Sequence, residues 1–253
     1  MAELPDRAEL TASPWVLVVG MHRSGTSAIA GALAKLGLQL PVDLIQGSDN
    51  PAHNESYAMM EFNDVVLHHA GRGWADSRPV ATERLDDAVV EFGEQGIDAL
   101  NTAFPLATPA VFKDPRLCLL LPFWRQILPH PVGAVFVWRS PMAVARSLAA
   151  RDRFQIAEGL HLWKHYVSSA LSGLDGMTMT FVRYEDAIAD PGGFSARAAT
   201  WLRAEELCSP DQDQIAESAG YLRHDLSHQT DDGELPGSVS ELVRELEMRT
   251  GVV

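Results

Sequence analysis

The residues of this chain best suited to chemistry lie in one stretch, Trp15-Val-Leu-Val-Val-Gly-Met-His-Arg-Ser-Gly-Thr-Ser27. An apolar, β-branched run stops at Gly20, crosses a short loop and enters a helical pattern from Ala28 to Leu36. Strand, loop and helix in that order turn successive backbone N–H groups and a helix N-terminus toward one point, an arrangement that holds phosphate or sulfate. His22, Arg23, Ser24, Gly25, Thr26 and Ser27 are therefore the candidate anion-binding residues. The spacing Gly20-x4-Gly25 copies the Walker A frame, yet Thr26 stands at the lysine position of that frame and Ser27 at its serine/threonine position. Kinases and ATPases direct that lysine at the β- and γ-phosphates. Here the cation has moved into the loop, as Arg23, which points to an anion site of another kind.

A second segment narrows the choice. Val132-Gly-Ala-Val-Phe-Val-Trp138 reads as a buried strand, and Arg139-Ser-Pro-Met-Ala-Val-Ala-Arg-Ser147 opens a helix behind it. Pro141 suits a first helical turn, where its missing N–H costs nothing. Ser147 lies about 9 Å up that helix at a rise of ~1.5 Å per residue. An arginine and a hydroxyl placed so can clamp a second phosphate. In a parallel α/β sheet both loops fall at the carboxyl edge, where ligands bind. Two anion sites on one edge suit a nucleotide carrying phosphates at both ends of its ribose.

On these residues the chain resembles the superfamily of sulfotransferases that use 3′-phosphoadenosine 5′-phosphosulfate (PAPS), in the form of bacterial members acting on glycans, lipids or small molecules. Arg23-Ser-Gly-Thr-Ser27 looks like the family's 5′-phosphosulfate loop, and Arg139-x7-Ser147 matches its 3′-phosphate motif in spacing and residue types. Val182-Arg-Tyr-Glu-Asp186, with Asp190-Pro191 following, is similar to the strand-to-helix segment whose tyrosine, here Tyr184, or its neighbours border the adenine. The three places span residues 15 to 191 of 253. The glycine- and lysine-rich loop of the cytosolic members is not recognisable near the C-terminus; Arg223 in Tyr-Leu-Arg-His-Asp225 is the nearest candidate for its arginine. The resemblance implies an α/β, P-loop-type three-layer fold as one domain over residues 1–253. It implies PAPS as co-substrate, no metal, and a hydroxyl acceptor on a small molecule, glycan or lipid that becomes a sulfate ester.

Sulfuryl transfer proceeds in line, and the leaving phosphate gains charge. Cations and N–H donors aimed at the bridging oxygen then do most of the work, which gives Arg23 and the amides of Ser24 to Ser27 a catalytic role. The acceptor hydroxyl needs a base within hydrogen-bond reach. Glu55, in Asp49-Asn-Pro-Ala-His-Asn-Glu55, is the first candidate, because similar bacterial sequences carry Asn-Pro-x-x-x-Glu after the loop-helix. Family members use either glutamate or histidine, so His53 is second, and Asp114 of Phe112-Lys-Asp-Pro-Arg116 is third. Glu55 equally suits the first turn of a helix, where a carboxylate is favoured. Lys113 and Arg116 end a strand at the same edge; they either meet sulfate and acceptor or pair with Asp114 to hold the strand end. Trp74 lines an acceptor pocket or anchors the core. His161 and His165 stand one turn apart, but no His-Glu-x-x-His pattern or cysteine cluster accompanies them, which argues against zinc. Ser24 lacks the Gly-x-Ser-x-Gly elbow of a serine hydrolase.

The elements that must position these residues follow from periodicity. Buried strands are expected near 15–19, 109–113, 132–138 and 178–183, and helices near 25–36, 116–127, 141–151, 158–172 and 194–204. Strand alternating with helix means a parallel, doubly wound sheet with helices on both faces. Leu160, Trp163, Val167 and Leu171 form one apolar stripe that reads as core. Residues 82–101 read as an amphipathic acidic helix and Leu40 to Glu61 as a long functional loop. Two short helical segments follow Pro210, separated by the polar stretch Gln229 to Gly237, and residues 1–13 read as a frayed leader.

Composition bounds the rest. A chain of 253 residues that is 46% hydrophobic suits one sizeable core. Its longest apolar runs are strand-length, too short to span a bilayer. The acidic N-terminus shows no signal peptide, and Cys118 and Cys208 make no disulfide framework, so a cytoplasmic location with reduced thiols is expected. A net charge of −14 argues against nucleic acid or an anionic membrane as partner. A homodimer is compatible with the chain. Two other functions stay open: a P-loop small-molecule kinase, whose loop lysine is missing, and a catalytically silent nucleotide-binding module, against which the Arg139/Ser147 pair speaks.

Overall fold

The computed structural model describes residues 14–46, 53–105, 109–128, 132–222 and 233–250. A four-stranded parallel sheet lies at the centre, ordered β2-β1-β3-β4, built from β1 (Trp15–Val19), β2 (Ala110–Lys113), β3 (Val132–Trp138) and β4 (Thr178–Arg183). The register pairs Leu17 with Phe112 on one side and with Ala134 on the other. All five residues of β1 are buried. A strand covered on both faces is apolar throughout, and that continuous run is what Trp15 to Val19 presents.

Alternate residues of each strand feed two cores. Trp15, Leu17, Val19, Phe112, Phe136 and Trp138 face the larger core. It is covered by α2 (Tyr57–His69), α3 (Thr82–Ala103), α4 (Leu117–Ile127), α5 (Pro141–Asp152), α6 (Ile156–Gly173) and α10 (Gly237–Thr250). Val16, Val18, Val111, Val135 and Val137 face the smaller core, against α1 (Thr26–Lys35), α7 (Tyr184–Ala189), α8 (Pro191–Ala204) and α9 (Gln212–Tyr221), which packs against α1 and α8. The three-layer α/β arrangement is therefore as expected from the alternating pattern. In α6, Trp163 and Val167 are buried in the larger core with Leu171 packed against it, while Leu160 is buried in a small cluster with Met142 and Ala145.

Three boundaries differ, each for a local reason. The stretch Leu40 to Glu61 is not loop throughout, because α2 begins at Tyr57. Its N-cap Ser56 accepts a hydrogen bond from Met59 N at 3.0 Å and donates to Asp43 Oδ2 at 2.8 Å. Helix α6 begins at Ile156, closed by Glu158, whose carboxylate accepts from Gln155 N at 2.9 Å. Helix α8 begins at Pro191: Asp190 accepts from Gly193 N at 2.9 Å, so the cap outweighs the poor helix propensity of Gly192 and Gly193. The leader, Arg223 and most of the stretch from Gln229 lie outside the described residues.

No helix among the described residues is long and apolar enough to cross a membrane.

Candidate active site

The carboxyl ends of β1, β2 and β3 carry the candidate residues. After Val19 the chain turns sharply: Ser24 N donates to Met21 O at 3.1 Å, and Arg23 and Gly25 adopt φ of 67° and 86°. Gly25 is the N-cap of α1 and brings no side chain to satisfy the first-turn N–H groups, the kind of helix start that suits an anion. Its left-handed backbone favours glycine. A Cβ there would also fall 2.1 Å from Cδ2 of Tyr184. Tyr184 is buried beneath the loop, as a floor under Gly25. Thr26 is buried where a Walker lysine would stand, and Ser24 Oγ is buried with no hydrogen-bond partner among the described residues.

Arg23, Arg139 and Ser147 converge. Arg23 Nε donates to Ser147 Oγ at 2.8 Å, and Arg139 Nη1 donates to the carbonyl of Arg23 at 3.3 Å. The guanidinium of Arg139 lies 5.3 Å from the centre of the Tyr184 ring. Its carbonyl accepts from Trp163 Nε1 at 3.2 Å, which ties the end of β3 to α6. Arg139 is 6% exposed, yet its Nε and Nη2 have no hydrogen-bond partner among the described residues. Two unmet donors on a buried guanidinium are costly unless an anion takes them. Arg139 and Ser147, singled out by their spacing, thus both meet the first loop at Arg23, one at its carbonyl and the other at its Nε.

Lys113, at the end of β2, is the cation on the other side of the loop. Its buried ammonium donates to Ser27 Oγ at 3.2 Å and to the carbonyl of His53 at 3.4 Å, and it forms a close ion pair with Glu55. The backbone of the Glu55 segment is fixed by Ile45 N donating to Glu55 O at 2.9 Å and Tyr57 N donating to Asp43 O at 3.0 Å. Asn54, with φ of 54°, donates to the carbonyl of Ser27 at 2.7 Å. His53 and Glu55 thus flank a residue pinned to the first turn of α1. Burial, with help from Lys113, Arg151 and Arg23 and against Glu55, pushes the His53 pKa below its ordinary value.

Asp114 is placed differently. Its Oδ1 accepts from Arg116 N at 2.8 Å and Arg116 Nη1 at 3.2 Å, and its Oδ2 accepts from Asn63 Nδ2 at 3.0 Å. Arg116 also pairs with Asp64, Nε to Oδ1 at 2.6 Å, and Trp124 Nε1 donates to Asn63 Oδ1 at 2.8 Å. Burial raises the Asp114 pKa, opposed by Arg116. This carboxylate is committed to holding the β2–α4 turn. Lys113 and Arg116 therefore divide the alternatives left open by the sequence: the first faces the loop, the second holds the strand end.

His22 lies between Trp74 and Tyr166, with ring centres 4.9 and 5.8 Å away. Burial, reinforced by Arg116, Lys113, Arg151 and Arg23, holds its pKa well below the ordinary value. A neutral ring thus lies beside the loop. Trp74 accepts a 2.6 Å hydrogen bond at its carbonyl from Tyr166, stands 5.9 Å from Phe154 and packs against the larger core. Asn54 and Asn63 were missed by sequence reasoning. A signal for Asn54 was present: asparagine tolerates the left-handed conformation that a tight turn needs.

No protein-family model matches the chain, and no curated protein is significantly similar to it in sequence. Solved structures are similar in fold. The sulfotransferase domain from the Synechococcus PCC 7002 olefin synthase superposes with a TM-score of 0.56 at 16% identity, covering 98% of each chain. The sulfotransferase domain from the curacin biosynthetic pathway gives 0.56 at 13% identity, covering 93% of this chain and 98% of that one. The chain has the fold of bacterial sulfotransferase domains.

Proposed function

We propose that this protein is a PAPS-dependent sulfotransferase that forms a sulfate ester on a hydroxyl of a small-molecule, glycan or lipid acceptor. The observation that carries the proposal is the pair of unmet donors on buried Arg139, next to the Arg23–Ser147 contact. It supports an anion site separate from the loop at the N-terminus of α1, as a nucleotide with 3′- and 5′-phosphates requires. The acceptor oxygen attacks sulfur, the bond from sulfur to the 5′-phosphate oxygen breaks, and 3′,5′-bisphosphoadenosine leaves. The acceptor proton passes to a base, for which Glu55 is the first candidate and His53 the second. Arg23, Lys113 and the first-turn amides answer the charge that grows on the leaving phosphate. Arg139 and Ser147 hold the 3′-phosphate, and Tyr184 supports the loop from below.

A kinase would need a free carboxylate at the second strand end for Mg²⁺. Asp114, the residue there, has both oxygens engaged. Calorimetry with 3′,5′-bisphosphoadenosine and 5′-AMP tests the proposal. A preference of about tenfold or more for the bisphosphate is expected from charged hydrogen bonds of roughly 1.5–3 kcal/mol each, and equal affinities would overturn it. Incubation with PAPS and candidate hydroxyl compounds, read as a gain of one sulfuryl mass, tests the transfer itself.

A further inference from the structure

The ends of β3 and β4 are crossed by two arginines. Trp138 and Arg183 are register partners. The Arg183 guanidinium lies 5.2 Å from the centre of the Trp138 ring, and one residue further along each strand Arg139 lies 5.3 Å from that of Tyr184. Glu185 stands between them. Its Oε1 accepts from Ser140 N at 3.1 Å and is 3.9 Å from Arg139 Nε, while its Oε2 is 3.4 Å from Arg183 Nε. At 3.9 Å the carboxylate attracts the Arg139 guanidinium without occupying its N–H, so Nε and Nη2 remain unmet. Ser140 is also the N-cap of α5, the helix that carries Ser147.

We propose that Glu185 is the positioning residue for recognition of the 3′-phosphate. Its charge keeps Arg139 against Tyr184 with two donors bare, and its bond to Ser140 N fixes the start of α5 and hence the place of Ser147. The proposal rests on the nucleotide site inferred above. Glu185 acts through Arg139 and Ser140, so its effect falls on selectivity between nucleotides with and without the 3′-phosphate.

The experiment is calorimetry with 3′,5′-bisphosphoadenosine and with 5′-AMP on the wild type, Glu185→Ala and Glu185→Gln, with a melting temperature for each. In Glu185→Ala, bisphosphate affinity is expected to fall about tenfold or more while 5′-AMP affinity stays within about twofold, the signature of lost charge-assisted contacts at one phosphate. Glu185→Gln keeps an acceptor for the Ser140 N–H and is expected to fall between the two. A wild-type preference that survives Glu185→Ala overturns the Glu185 role alone, and a preference that grows makes the carboxylate a competitor of the phosphate. A wild type with no preference removes the 3′-phosphate site and the role with it. If Glu185→Ala fails to fold, a Glu185→Gln preference equal to that of the wild type overturns the role.

Discussion

Arg23 Nε donates to Ser147 Oγ at 2.8 Å, joining two residues that are 124 positions apart. The contact ties the loop after β1 to α5, the helix that carries Ser147. Ser147→Ala is expected to weaken 3′,5′-bisphosphoadenosine by about tenfold, the value of one charge-assisted hydrogen bond, with little effect on 5′-AMP. Isothermal calorimetry of both ligands checks it.

Arg23→Ala is expected to lower turnover more than PAPS affinity, because the charge it answers grows in the transition state. Single-turnover rates set beside equilibrium binding separate the two effects. A variant with normal turnover and only weaker PAPS binding would make Arg23 a binding residue and nothing more.

Glu55→Gln is expected to lower turnover by something like 10²–10⁴-fold at nearly constant PAPS affinity, as loss of a general base does. The pH profile separates it from His53. The pKa of His53 lies below 6.5, so the imidazole is neutral at pH 7 and gains its proton only in more acid solution. With His53 as base the rate would stay level above pH 6.5, decline only below it, and vanish in His53→Ala. Normal turnover in Glu55→Gln beside a dead His53→Ala moves the base to the histidine.

Lys113→Met removes one partner of a buried ion pair in which the lysine side chain is 2% exposed and the glutamate 12%. Leaving a carboxylate in that setting costs about 3–5 kcal/mol, whereas replacing both partners by apolar groups costs far less. The double variant Lys113→Met/Glu55→Leu is therefore expected to melt above the single variant, while both are inactive. Thermal unfolding of the pair decides it; a double variant no more stable than the single would mean that Lys113 is held by Ser27 and the His53 carbonyl rather than by Glu55.

His22 gives the stability a pH dependence. Its folded pKa lies well below 6.5, so the unfolded chain takes up the proton first as pH falls. Its contribution is complete above pH 6.5 and is lost as pH drops toward the folded value. Asp114, raised by burial, acts in the opposite sense at lower pH. The comparison is thus between variants: His22→Gln is expected to lose less melting temperature than the wild type between pH 6.5 and 5. Parallel curves for the two would exclude His22 as the source.

The fold was readable because the buried strands are continuous apolar runs and each is followed by helical periodicity. Trp15 to Val19 and Val132 to Trp138 leave little alternative. The turn after β1 and the places of Arg139 and Ser147 at the start and along α5 were readable because their geometry is local: a strand end, a turn, and one helix of fixed rise. The partner of Glu55 was not. Lys113 lies 58 residues away, and the choice between it and Arg116 depends on how β2 is rotated against α2. The start of α2 was obscured for another reason, because Ser56 caps it from inside a stretch whose polar residues resemble loop. Asn63 was invisible among the apolar residues of that helix, since its function is to join Asp114 and Trp124 across three elements.

The strand order β2-β1-β3-β4 puts β1 beside two strands reached by opposite excursions of the chain. The excursion from β1 to β2 carries Glu55, His53 and Trp74; the one from β3 to β4 begins with Arg139 and Ser147, and Tyr184 follows β4. In the proposed chemistry Glu55 and His53 serve the acceptor while Arg139 and Ser147 serve the donor, and the two connections touch where Tyr166 donates to the carbonyl of Trp74. A change at Trp74 therefore reaches α6, the helix whose Trp163 donates to the Arg139 carbonyl.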